Sequence, residues 1–155
     1  MDSLRIPVVE REIVLFFSDG SRKAGKSFVS ASAPDHTGTM RIGEWLNSEE
    51  DYFPFLPDEE ESPILVNKKK VLIVTAMHEP EQYFDEVDLS STCRVRIEME
   101  RIGIEGTLVM DMPESRMRVL DVLNSDRRFL FMIRNGQEVH INKIPILRVI
   151  EIKEK

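Results

Sequence analysis

Arg41-Ile42-Gly43-Glu44-Trp45-Leu46-Asn47-Ser48 recurs 77 residues later as Arg118-Val119-Leu120-Asp121-Val122-Leu123-Asn124-Ser125. An arginine, a β-branched residue, an acid and then Leu-Asn-Ser stand in the same order in both stretches. Working outward, Phe53 and Phe55 match Phe129 and Phe131 at a spacing of 76. Val66-Asn67-Lys68 matches Ile141-Asn142-Lys143 at 75, and the apolar run Val71 to Val74 falls on Ile146 to Val149 at the same spacing. Upstream, Gly25 pairs with Gly106 at 81, which gives the first copy a longer loop around Ser30 to Thr39. Collinear matches separated by one-residue gaps are the mark of an internal duplication. The expected organisation is a first β unit over 1–77, an acidic linker over 78–91 and a second β unit over 92–155.

Each copy can be read against the other. Cys93, Val95, Ile97 and Met99 alternate with Arg94, Arg96, Glu98 and Glu100, the period of a half-buried strand. Its counterpart is the more apolar Ile13 to Phe17. A second strand follows through each glycine, over Lys26 to Ala31 and Thr107 to Met112. Ile42, Trp45 and Leu46 fall at i, i+3 and i+4, as do Val119, Val122 and Leu123. That spacing suits a short helix ending at Asn47 or Asn124, although Met117 to Leu123 also reads as a strand. Arg41, Asn47, Arg118 and Asn124 are therefore assigned structural roles within the repeat. Phe129 to Arg134 and Gln137 to Asn142 flank Asn135-Gly136, a strong hairpin signal, because a type I′ turn needs positive φ at both positions. In the first copy Pro57 to Pro63 replaces that turn with a longer acidic loop. A last strand is expected over Val71 to Ala76 and over Ile146 to Ile152, the second preceded by Pro145. The fold class is mainly β: a tandem duplication of a small, strongly bent, five-stranded barrel-like unit, each with a short helix.

Val95-x-Ile97, Gly106-Thr107-Leu108, Asp121-Val122-Leu123-Asn124 and Val139-x-Ile141 together resemble the Sm-like fold. The chain also resembles an uncharacterised bacterial family that carries such units in tandem. That resemblance implies small β-barrels, ring assembly, and RNA binding near an Arg-Gly or Lys-Gly pair after the fourth strand. Here the matching positions read Asn67-Lys68 and Asn142-Lys143, without the glycine.

Bulk properties narrow the function. The net charge is −7, divided −4 over residues 1–77 and −3 over 78–155, so neither half has the basic balance typical of phosphate-backbone binders. Cys93 is the only cysteine, which excludes an internal disulfide and a multi-cysteine zinc site. The start, Met1 to Pro7, has no apolar core of a signal peptide, and no apolar run approaches a membrane span. The expectation is a soluble cytoplasmic protein with no membrane association. Two thin-cored units of about 65 residues should pack on each other or on another subunit.

Gly20-Ser21-Arg22-Lys23-Ala24-Gly25-Lys26-Ser27 fits G-x-x-x-x-G-K-[ST], the phosphate loop of many nucleotide hydrolases. That chemistry needs a helix springing from Lys26, and Phe28 to Pro34 is short, partly β-branched and stopped by proline. A hairpin turn is expected instead. His36, His78 and His140 lack metal-ligand spacing, and His140 is expected to point outward, opposite Val139 and Ile141. Cys93 reads as a buried inert thiol, and no catalytic residue, cofactor or metal is assigned. Arg116, Arg127, Arg128, Arg134 and Lys143 form a basic cluster that would bind an anion or nucleic acid if it converged in space. Asp58, Glu59, Glu60 and Glu61 form an acidic tip that reads as a solvated turn or a dock for a basic partner. The leading expectation is a non-enzymatic binding or assembly module that acts through a protein partner or self-association. An Sm-like nucleic-acid binder comes second, and a nucleotide-dependent enzyme third.

Overall fold

The computed structural model describes residues 8–31, 40–77, 91–110 and 118–153. The loop over 32–39, nearly all of the linker, His36, His78 and Arg116 lie outside these residues. The first part of the chain forms strands β1 (Val8–Phe17) and β2 (Arg22–Ser30), helix α1 (Ile42–Leu46), then β3 (Tyr52–Pro57), β4 (Ile64–Asn67) and β5 (Val71–Ala76). The second part forms β6 (Thr92–Met99), β7 (Gly103–Val109), helix α2 (Val119–Leu123), β8 (Phe129–Arg134), β9 (Gln137–Asn142) and β10 (Ile146–Glu151). The protein is mainly β. The ten strands among the described residues form one open antiparallel sheet in the order β10-β6-β7-β8-β9-β5-β1-β2-β3-β4. Both Arg-…-Leu-Asn-Ser segments are helical, which excludes the strand alternative for Val119 to Leu123.

Within the sheet the first five strands run β5-β1-β2-β3-β4 and the second five run β10-β6-β7-β8-β9. Registers correspond as well as order. Ile13 faces Gly25 as Val95 faces Gly106, and Ile13 faces Ala76 as Val95 faces Glu151. The register irregularity at Phe16/Phe17 beside β5 has its counterpart at Ile146/Arg148 beside β6.

The register also corrects one match read from the letters. Lys26 faces Leu56 and Ser27 faces Phe55, while Thr107 faces Ile133 and Leu108 faces Met132. Phe53 and Phe55 therefore correspond to Leu130 and Met132, 77 positions on, and not to Phe129 and Phe131. A slip of one residue reverses the face of every side chain in a strand. Phe129 and Phe131 accordingly lie on the opposite face from the counterparts of Phe53 and Phe55.

Local chemistry explains the turns. Asn135 has φ 52° and Gly136 has φ 76°, as a type I′ hairpin requires, so β8 and β9 meet in two residues. Gly25 and Gly106 sit inside strands rather than at their entrances. A side chain on Gly25 would run into the Leu56 carbonyl and lie 2.8 Å from the Pro57 Cα. On Gly106 it would meet Met132 Sδ at 2.5 Å and the Ile133 carbonyl at 3.0 Å. These are the points where the neighbouring strand crosses closest.

Two apolar clusters fill the molecule, and each borrows from the other part of the chain. The first gathers Ile13, Leu15, Ile42, Leu46, Phe53 and Phe55 but also takes Phe129 from β8. The second gathers Val95, Ile97, Leu108, Leu130, Met132 and Ile141 but also takes Ile73 from β5. The apolar stripe of each helix is the buried one: Ile42, Trp45 and Leu46 in α1, Val119 and Val122 in α2. Trp45 meets Phe53 edge-on at 4.7 Å between ring centres.

Candidate functional site

The phosphate-loop match forms the β1–β2 hairpin. Phe17 N–H donates to the Ser21 carbonyl at 2.9 Å and Gly20 N–H to the Phe17 carbonyl at 3.0 Å. Strand β2 then runs through Lys26 and Ser27, and no helix begins there. Lys26 faces Glu12 in the ladder, and its Nζ lies 3.5 Å from Glu10 Oε2.

Two of the basic residues, Arg128 and Lys143, serve the chain's own backbone. The Arg128 guanidinium donates to the carbonyls of Ser48, Glu49 and Glu50 at 3.3, 3.4 and 3.0 Å and meets Asp51 Oδ1 at 3.0 Å. Lys143 Nζ donates to the carbonyls of Leu123 at 3.1 Å and Ser125 at 2.6 Å, and burial lowers its pKa. Arg134 is exposed at the end of β8 and Arg127 is half-buried. Asp58, Glu59, Glu60 and Glu61 are exposed on the β3–β4 turn. Cys93 is half-buried, not buried as expected. Its Sγ lies 3.6 Å from Glu151 Oε1, and burial together with that carboxylate pushes the thiol pKa up. Among the described residues no group of three His, Cys, Asp or Glu side chains could hold a metal ion.

What the chain does build is a seam. Strand β5 pairs antiparallel with β9, setting Ile73 opposite Ile141, Val74 opposite His140 and Thr75 opposite Val139. Helix α1 covers the joint. Asn47, at its C-terminal end, accepts from the amides of Arg128 at 2.7 Å and Phe129 at 2.9 Å through one side-chain oxygen, while its Nδ2 donates to the Gly43 carbonyl at 2.8 Å. From the other side, Asn142 Nδ2 donates to the carbonyls of Lys68 at 3.1 Å and Val71 at 2.8 Å. The repeat asparagine Asn47 is thus a clasp between parts of the chain, whereas Arg118 pairs with Asp121 in its own helix at 3.0 Å.

His140 corrects the expectation of an outward side chain. It does lie opposite Val139 and Ile141, but that face of β9 is covered. His140 is 1% exposed, stacks on Phe131 at 5.2 Å and holds Glu138 Oε2 at 2.7 Å through Nε2. Glu138 Oε1 and His140 Nδ1 are buried without a hydrogen-bond partner. A Cβ on Gly43 would stand 3.1 Å from the His140 ring, so the glycine lets α1 lie tight against it. Alternation along β9 correctly separates the two faces; nothing local reveals that both are buried.

Lys68 is the other residue the sequence left unassigned, although its place in the repeated Asn-Lys pair was visible. It is 1% exposed, and its Nζ donates to the Trp45 carbonyl at 3.1 Å and Ser48 Oγ at 3.0 Å. Burial, aided by the Arg128 charge, lowers its pKa to about 8.

No family model, curated protein or solved structure matches the chain. Among the described residues no helix is long and apolar enough to cross a membrane. The described sheet ends in two terminal strands, β4 and β10. Leu65 of β4 and Tyr52 of the adjacent β3 are exposed at one end, and Leu147 and Ile150 of β10 at the other.

Proposed function

We propose that the chain is a non-enzymatic assembly module, a tandem duplication of one Sm-like five-stranded unit, which acts by pairing its terminal strands with partner proteins. The observation that carries this reading is the seam. Where β5 and β9 meet, two sheet edges are satisfied by each other. The strands at corresponding places, β10 and β4, end the sheet and have no further strand beside them among the described residues. Edge strands either are blunted or recruit another strand, and these carry exposed apolar side chains instead of a uniform row of charges. The corresponding strand orders and registers support the duplication. The enclosed apolar cluster on one face of each set of five supports a bent, barrel-like unit.

Light scattering, together with hydrogen exchange followed strand by strand, tests the reading. Recruitment predicts a species heavier than the 18.0 kDa chain and slowed exchange at Ile64–Asn67 and Ile146–Glu151 when partners are present. A chain that stays monomeric, with both strands exchanging freely in concentrated native extract, defeats it. Nucleic-acid binding has less support, since Arg128 and Lys143 already serve backbone carbonyls.

A further inference from the structure

The seam inside the molecule is also a template for what covers its ends. Read through the correspondence of registers, several residues of the seam have counterparts that are exposed, while Val66, the counterpart of Ile141, is buried and Asn67, Ile64 and Val149 are half-buried. Gly43 and Asn47 of α1 correspond to Leu120 and Asn124 of α2, 77 positions on. On the receiving side, Phe129 and Phe131 correspond to Tyr52 and Pro54, and His140 and Asn142 to Leu65 and Asn67. The members of the first set of partners are buried or half-buried in the seam. Of their counterparts, Leu65 is 76% exposed, and Tyr52 and Leu120 are each 59% exposed.

We infer that the terminal strands recruit a second copy of this chain, head to tail, so that α2 and β10 of one molecule seat on β3–β4 of the next as α1 and β5 seat on β8–β9 within it. This rests on the edge-pairing reading and names its partner. The same offset that aligns both strands of the seam places Val149 opposite Leu65, with Arg148 and Ile150 opposite Val66 and Ile64.

Three features favour a second copy over an unrelated strand. First, the side-chain volumes compensate. The seam joins a glycine to a stacked Phe131–His140 pair, whereas the open face replaces that pair with Pro54 and Leu65 and the glycine with Leu120. Bulk removed from the strand face is returned on the helix. Second, the polar clasp is conserved in kind. Asn142 in the seam accepts from Ile144 N–H and spends its Nδ2 on two carbonyls across the joint; Asn67 likewise accepts from Lys69 N–H. Its amide then matches the carbonyls of Lys143 and Ile146 in a neighbour. Asn124 likewise matches the amides of Asp51 and Tyr52. Third, the surface repeats the arrangement of an interface already built: the strand that ends the sheet and the helix of the same five-stranded set are offered together, as they are in the seam. Two contacts are not carried over. Arg148, held by Glu98 at 2.6 Å, stands where Ile73 enters the second apolar cluster. Asp51 stands where Arg128 clasps three carbonyls, so the joint between molecules lacks that guanidinium and is weaker than the internal one.

A contact of this kind is heterologous, with different surfaces on its two sides. That makes a mixing experiment decisive. Leu65→Glu spoils only the receiving face, and Leu120→Glu only the donating helix; both positions are exposed in the single chain, so neither variant should impair folding, which circular dichroism checks. Sedimentation should show the unaltered chain as assemblies, each variant alone as a monomer, and an equimolar mixture of the two as a one-to-one dimer that grows no further. An unaltered chain that stays monomeric at high concentration, while its β4 amides become protected by other proteins in extract, overturns the second copy and leaves edge pairing standing. Assembly of either variant alone, or a mixture that remains monomeric, overturns the head-to-tail arrangement. A monomer unprotected under every condition removes both proposals.

Discussion

Asn47 and Asn124 occupy the same slot in the repeated octapeptide, yet only Asn47 has found its partners. Two amides and a carbonyl depend on Asn47. Asn47→Ala should therefore lower stability by about 2 kcal/mol, because buried backbone donors are left unmet. Asn124→Ala should change the dissociated chain by less than about 0.5 kcal/mol, as exposed substitutions do. Urea unfolding of the two variants measures the difference, and equal losses would contradict the assignment of the clasp to Asn47. Lys68 gives a pH signature of definite sign. Its folded pKa of about 8 lies below the ordinary value of 10.5, so the folded chain binds that proton less tightly than the unfolded chain. The burden of burying the charge is full below about pH 8 and is relieved as pH rises toward about 10.5, so the contribution of Lys68 to stability grows across that window. Unfolding the protein beside Lys68→Met at about pH 7 and about pH 10 should show the difference moving in favour of the lysine at the higher pH. A constant difference would refute the shift.

At the scale of the element, the hairpin of β8 and β9 was legible to the residue. Asn135-Gly136 demands positive φ, and the flanking apolar runs begin and end where the strands do. The two short helices were visible in the spacing of Ile42, Trp45 and Leu46 and of Val119, Val122 and Leu123, although that spacing left a strand over Met117 to Leu123 open. The strand correspondence was not. Matching Phe53 and Phe55 to Phe129 and Phe131 compares letters, whereas the fold compares faces, and only the ladder against β2 and β7 reveals the slip. The mid-strand glycines divide along the same physical line. Gly25→Ala drives a methyl group into backbone at Leu56 and Pro57, and should cost about 3 kcal/mol, the upper end of over-packing. Gly106→Ala chiefly meets the Met132 thioether, which can turn aside, and should cost about 1 kcal/mol. Thermal unfolding of both variants checks the order, which fails if Gly106→Ala is the more damaging.

Across the whole molecule, a single fact governs cooperativity: the first cluster needs Phe129 and the second needs Ile73. The chain should unfold in one transition, with calorimetric and van't Hoff enthalpies equal. Two resolved transitions would show that the exchange of side chains between clusters contributes little. A fragment ending at residue 77 should lack dispersed amide resonances, because it leaves β5 unpaired on one side and its apolar cluster open. This mutual dependence could not be read in advance. Periodicity tells which face of a strand is apolar, but not which distant edge will lie beside it. His140 was misplaced for that reason: the face assigned to water is the one that helix α1 approaches at Gly43.

The pairing of β5 with β9 also sets an order of events during synthesis. Residues 139–141 leave the ribosome more than sixty positions after β5 has emerged. Until then the newly made N-terminal portion presents a bare strand beside an open apolar surface, the condition in which nascent chains aggregate or recruit chaperones. Its maturation must wait for the C-terminal portion, which makes the late hairpin around Asn135-Gly136, a structure able to close by itself within microseconds, the step that completes the first half.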